Sequence, residues 1–204
     1  MPYRTPEWVQ AKKDAKRAHI IEVAQKLFSE RGFQNTSIQD ICASAGVSVG
    51  SVYFYFANKE SIYEAVYQRI TEEYENRIYN ALRGISDIRD IMRKMIEVAV
   101  RYSDPKNPES RFFLINSSLS DLKTKRDNAL KASVPFMQRI FDTAVAKGEI
   151  ATINTELAAV SFIYGVYQVL RYWNLYDRPF STDEMIQFLY TYHTLALGLN
   201  QTSN

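Results

Sequence analysis

A chain of 204 residues with 46% apolar and 24% charged side chains is a globular protein of one domain, or of a small domain joined to a larger one, and not a disordered chain. Seven glycines and six prolines argue against a turn-rich β architecture, and a single cysteine, Cys42, excludes an internal disulfide. Net charge is only +2, no run reaches the roughly 18 to 20 apolar residues of a membrane span, and the opening segment has no apolar signal core, so the expectation is a cytoplasmic protein with no membrane partner.

Charge is unevenly placed. Residues 1–17 carry five basic side chains (Arg4, Lys12, Lys13, Lys16 and Arg17) against Glu7 and Asp14, a balance of +3. Residues 60–204 carry 17 basic and 18 acidic side chains, a balance of −1. Such a leading segment is either an arm that meets a polyanion or a solvated, frayed terminus.

The periodicity is helical throughout. Ile20, Ala24, Leu27 and Phe28 mark one buried helix face, which ends at Arg31-Gly32. Ile38, Ile41, Cys42 and Ala45 repeat the pattern over a shorter span; Thr36 or Ser37 caps it, with Gln39 or Asp40 completing a capping box. Gly46 breaks the chain, Ser48 caps another short helix ending near Phe56, and Asn58 caps a long one carrying Ile62, Ala65, Val66, Ile70, Ile78 and Leu82. Gly84 ends it, and Ile88, Ile91, Met92, Met95, Ile96 and Ala99 form the next amphipathic stripe. Beyond the break at Asp104-Pro105-Lys106-Asn107-Pro108, helices are expected near Glu109–Leu119 and Asp127–Lys147, the latter kinked or restarted at Pro135. Two more follow, near Thr155–Leu175 and Thr182–Leu199, separated by Asp177-Arg178-Pro179. The fold class is all-α, with a three-helix N-terminal domain over residues 1–58 and a larger helical domain over 59–204.

Two short helices joined by a glycine turn behind a longer helix have the form of a helix-turn-helix. Gly46 tolerates the positive φ of the turn, and Val47 plugs the space beneath the second helix. Val49, Gly50 and Ser51 are short enough to let the backbone approach base edges in a major groove. Tyr53, Tyr55 and Lys59 are placed to reach phosphates, as are the hydroxyls of Thr36 and Ser37 at a helix N-terminus. Each residue singly is as well explained by a cap or a core aromatic; the ordered set within 24 positions is what points to DNA.

From about Ala18 to Val66 the chain resembles the TetR family of bacterial transcriptional repressors. Thr36-Ser37-Ile38-Gln39-Asp40-Ile41, Ala45-Gly46-Val47-Ser48, Gly50-Ser51-Val52-Tyr53-Phe54-Tyr55-Phe56 and Asn58-Lys59-Glu60 stand in the family's order, over roughly a quarter of the chain. The resemblance implies a homodimer that reads a palindromic operator and a helical C-terminal domain that binds a small effector and releases DNA. It implies phosphate contacts from Thr36, Ser37, Tyr53, Tyr55 and Lys59, and base contacts from Gln39, Val49, Gly50 and Ser51, with Ser48 opening the reading helix. Cys42 stands where the family usually has alanine and reads as a small buried residue. Val49 stands where many relatives carry a polar side chain, which shifts specificity toward Gln39, Ser51 or DNA shape. The extended basic stretch before His19 is a candidate arm for the minor groove or phosphates.

The helix around Glu156–Tyr176 is apolar nearly all round, so a second subunit is expected to cover one face, pairing through the last two helices into a four-helix interface. Ser161, Gln168 and Arg171 make a thin polar line on it that either reaches solvent or orients a ligand. Phe112, Phe113, Met137, Tyr164 and Tyr167, with Gln168 and Arg171, are the candidate effector-pocket residues, suited to an aromatic or lipophilic ligand. His19 and His193 are isolated, and no metal cluster, nucleophile elbow, phosphate loop or cofactor motif is present in the sequence, so no enzyme and no cofactor are expected. The competing reading is a helical ligand carrier without sequence-specific DNA binding.

Overall fold

Eight helices and no strand make up the described residues, which are 6–106, 120–176 and 180–199 of this computed structural model. In chain order they are α1 (Glu7–Arg31), α2 (Ile38–Ala45), α3 (Val49–Tyr55), α4 (Lys59–Leu82), α5 (Ile88–Tyr102), α6 (Ser120–Ala146), α7 (Thr155–Leu175) and α8 (Thr182–Ala196). The chain divides into two compact units, Met1–Glu72 and Glu73–Asn204, with the division inside α4.

In the first unit, Ile20, Ile21, Ala24, Leu27 and Phe28 of α1 meet Ile41 and Cys42 of α2, Val52 of α3, and Ile62, Tyr63 and Val66 of α4 in one buried core. Phe28, Phe33 and Tyr63 pack their rings at centroid separations of 5.0–5.6 Å. Burying each large side chain of this kind contributes about 2 kcal/mol, enough to hold helices too short to persist alone. α2 starts with a full capping box between Ser37 and Asp40, and ends at Gly46, whose φ of 64° is the left-handed conformation that the turn demands.

One expectation for this unit is corrected. The basic leading segment is not an extended arm: from Glu7 onward it is helical and continuous with the rest of α1. Its residues suit a helix, and propagation from the packed part adds a hydrogen bond per residue without a new nucleus.

In the second unit, α5 buries Ile88, Met92, Ile96 and Val100, and α6 buries Met137, Phe141 and Ala144. Ala159, Phe162, Leu170 and Trp173 of α7 and Met185 and Leu189 of α8 complete the core. Buried Asn174 donates to the Ser103 carbonyl at 2.7 Å, tying the end of α7 to the end of α5. The indole of Trp173 donates to the Phe180 carbonyl at 3.0 Å, across the turn into α8.

α6 begins at Ser120, ahead of the expected start near Asp127, and continues through Pro135 without a restart, one of the two forms expected there. Proline in a helix forfeits one backbone bond and costs about 3 kcal/mol. Burial of Val134, Met137, Phe141 and Ala144 on the same helix offsets that cost. The helix expected near Glu109–Leu119 lies outside the described residues.

Candidate nucleic-acid interface and effector site

α3 is anchored from beneath and open above. Val52 is fully buried and Phe56 nearly so, whereas Val49, Gly50, Tyr53 and Phe54 are exposed and Ser51 and Tyr55 are half-buried. Ser48 caps the helix, its hydroxyl accepting from the Ser51 N–H at 3.2 Å. Gly50 has open space where a Cβ would stand, so it is the helix backbone itself that meets the solvent there. Gln39 is exposed on α2.

The expected phosphate ligands separate into two groups. Tyr53 is free to act on the surface, and Tyr55 packs edge-on against Phe54 at 4.9 Å. Thr36, Ser37 and Lys59 are engaged within the fold. Thr36 is buried, and its hydroxyl donates to the Gly32 carbonyl at 2.9 Å. The Ser37 N–H donates to the Asp40 carboxylate at 2.8 Å, and the Asp40 N–H donates back to the Ser37 hydroxyl at 3.1 Å. Donation to the carboxylate from the Ser37 hydroxyl, and then from its N–H, holds the Asp40 carboxyl below its ordinary value, so an anion already occupies the start of α2. The Lys59 ammonium donates to the carbonyls of Phe33 at 2.8 Å and Thr36 at 2.9 Å, and sits 4.2 Å from the centre of the Phe33 ring. It staples the head of α4 to the segment before α2. Residue type was legible for all three; who would claim their hydrogen bonds was decided by packing.

Sequence reasoning missed the surroundings of Phe54, which is 66% exposed on the α3 face that also carries Gly50. Lys13 of α1 lies over its ring at 5.7 Å, and Arg17 lies over Phe56 at 5.1 Å. The signal was present: Val9, Lys13 and Arg17 are spaced by four and run into the buried Ile20–Ala24 face, which marks them as the side of α1 turned toward its neighbours. His19, isolated in the sequence, contacts the Ala45 carbonyl at 3.2 Å and seats α1 against the helix-turn-helix.

Residues 20–66 match the family model described as bacterial regulatory proteins of the tetR family. Over that stretch, which spans α2, α3 and the head of α4, the chain is similar to that family. The helix-turn-helix transcriptional activator FasR of Mycolicibacterium smegmatis is 23% identical over 86% of this chain and 80% of its own. The fatty acid degradation regulator FadR of Bacillus halodurans has the same fold, with a TM-score of 0.74 at 18% identity, over 94% of this chain and 96% of that one. The protein SmeT, solved as a complex with triclosan, superposes with a TM-score of 0.75 at 19% identity, over 89% of this chain and 91% of that one. The matched stretch contains α2 and α3, and FasR and FadR are both described as regulators.

The candidate effector residues that are described have different surroundings. Phe112 and Phe113 lie outside the described residues. Met137 is fully buried in the core, Tyr167 nearly so, and Tyr164 packs half-buried against it. Gln168 is exposed and Arg171 half-exposed, so the polar line on α7 reaches the surface of the chain and does not point into an interior. Gln168 instead lies in a stripe with Leu157, Ser161, Tyr172 and Leu175, at helical spacing on one side of α7. A cleft of about 350 Å³ opens elsewhere, between the α4–α5 connection and α6, lined by Ile88, Ile91, Phe136, Ile140, Arg139 and Lys147 among others. None of the five expected residues that are described lines it.

The same side of α7 and α8 presents large apolar side chains. Leu157 is 65% exposed, and Tyr172, Phe188, Tyr192 and Leu195 are each exposed as well. Arg93 of α5 lies over the Tyr190 ring at 4.0 Å and Phe188 stacks near Tyr192 at 6.0 Å, so these helices are ordered beneath that surface.

Proposed function

We propose that this protein binds a palindromic DNA operator as a homodimer, represses the genes beside it, and is released by a small aromatic or lipophilic effector. The observation that carries the DNA reading is the α3 surface: a helix fastened by Val52 and Phe56 that turns Val49, the bare backbone of Gly50, Ser51 and Tyr53 outward. Short side chains there allow the helix to sit deep in a major groove, with Gln39 and Ser51 able to hydrogen-bond base edges and Tyr53 and Tyr55 able to reach the sugar–phosphate backbone. Thr36, Ser37, Ser48 and Lys59 support this surface through the fold, in line with their internal hydrogen bonds.

Dimerisation is supported by the exposed apolar residues of the last two helices, since monomers rarely leave so large a patch uncovered. A two-fold pairing of α7 and α8 would cover Leu157, Tyr172, Phe188, Tyr192 and Leu195 and set two recognition helices about 34–36 Å apart, one turn of DNA. α4 crosses the division between the units and is the element through which an effector in the second unit shifts the population away from that spacing. Met137, Tyr164 and Tyr167 are retained as wall candidates, and the triclosan complex of SmeT supports an aromatic ligand class.

Selection of duplexes from a randomised pool by the purified protein tests the reading. A recovered palindrome supports it; no motif at low or moderate salt overturns it in favour of a ligand carrier. A reporter placed behind the recovered operator then reads the sign, rising on loss of the protein for a repressor and falling for an activator such as FasR is named. Tyr192→Glu with Leu195→Glu, at exposed positions, is expected to leave a folded monomer by sedimentation; a dimer that persists refutes the proposed pairing.

A further inference from the structure

We propose that the first three turns of α1 are a second DNA-contacting element, in which Lys13 and Arg17, each seated over a ring at the end of α3, bind phosphates flanking the groove that α3 enters. This rests on the DNA-binding reading above and adds residues outside the helix-turn-helix.

Four observations lead to it. The part of α1 from Glu7 to His19 contributes no buried residue, since the first fully buried side chain is Ile20. Over about 18 Å this stretch adds no fully buried side chain to the core, and it meets the end of α3 through Lys13 and Arg17. It carries Lys12, Lys13, Lys16 and Arg17 against only Glu7 and Asp14, and among the described residues no carboxylate pairs with any of the four cations. Asp14 is itself bonded to Gln10 at 2.9 Å. Lys13 and Arg17 are held over Phe54 and Phe56, which fixes both cations beside the exposed face of α3 without using up their N–H donors. Finally, Phe54 is left 66% exposed beside Gly50 on the surface proposed to meet the groove, where a bound duplex would cover it.

Charge complementarity selects the occupant. Unpaired cations aligned with a groove-reading helix suit the phosphates of duplex DNA, and each neutralised phosphate adds about 0.9 to the slope of log affinity against log salt. Two contacts seated this way leave the sequence preference unchanged, because phosphates carry no base identity.

The test is the variant Lys13→Gln/Arg17→Gln, measured on the duplex that the wild type itself selects. Because the proposed dimer brings two copies of each residue to one operator, the salt slope is expected to fall by about 3.6, with the selected motif and the melting temperature unchanged. The paired control Lys12→Gln/Lys16→Gln, which removes the same charge from positions not seated on α3, is expected to alter the slope by less than about half a unit. An unchanged slope in the first variant overturns the inference, as does a lower melting temperature with an unchanged slope, which assigns the two residues to the fold alone. Equal losses from both variants also overturn it, since diffuse charge then accounts for the effect. Failure of the wild type to bind any duplex refutes the underlying reading instead.

Discussion

His193 makes the stability of this protein fall on mild acidification. It sits in α8, 6% exposed, with its ring 4.9 Å from Phe162 and 5.2 Å from Tyr192. The ring packs against Gly165 of α7, where a Cβ would stand 3.5 Å from the imidazole, in ordinary contact. Burial penalises the imidazolium and lowers the pKa from 6.5 to about 4. The unfolded chain keeps the ordinary value near 6.5 and takes up a proton that the folded chain refuses. Stability is therefore whole above pH 6.5 and declines as the pH falls toward 4. The full gap is worth at most about 3 kcal/mol, and water near the ring trims it, leaving a loss of about 1–2 kcal/mol between pH 7 and pH 5. Urea unfolding at both pH values, at one fixed protein concentration, compares the wild type with His193→Gln. Carboxylates such as Asp40 and Glu184, held low by their capping serines, contribute equally to both and cancel. The variant is expected to lose about 1–2 kcal/mol less than the wild type over that interval. An identical pH dependence in the two proteins refutes a buried, neutral His193.

Lys59→Met is expected to cost about 2 kcal/mol in urea unfolding, because the Phe33 and Thr36 carbonyls lose a charged donor; weakened DNA binding at unchanged stability would instead mean that the ammonium serves phosphate. Gly46→Ala, at a φ of 64°, is expected to destabilise by about 1 kcal/mol, while Gly50→Ala, in a helix with nothing near the added methyl, stabilises by about 0.5–1 kcal/mol and weakens operator binding. The same unfolding assay reads both, and equal signs would contradict the geometry. Asn174→Ala leaves the Ser103 carbonyl without its buried donor and is expected to lower stability by about 2 kcal/mol by the same measurement; no loss would mean that water replaces the amide.

By itself the sequence determined the features that repeat along one helix or within one turn. The all-α class, the burial of Ile20, Ala24, Leu27 and Phe28, the box at Ser37-Asp40 and the left-handed turn at Gly46 are local, set by spacing and by backbone preference, and the ordered motif from Thr36 to Lys59 lies within the stretch that matches the family model. Tertiary structure decided whatever depends on which groups meet. Thr36 and Lys59 have the chemistry to hold phosphate, but carbonyls 23 to 26 residues distant or a turn away claim them, and no pattern in the chain announces that. The basic leading segment carries the same charges as a loose tail would; only its continuity with α1 and its approach to Phe54 and Phe56 give them fixed positions. Pro135 breaks helices by local rule, and the core around Met137 and Phe141 overrides that rule. Gln168 and Arg171 form a polar line in the sequence, yet which way a helix turns that line is settled by its partners. A single chain's periodicity encodes what each element buries, whereas the choice of partner is a sum over contacts distant in sequence and is written only in the packed molecule.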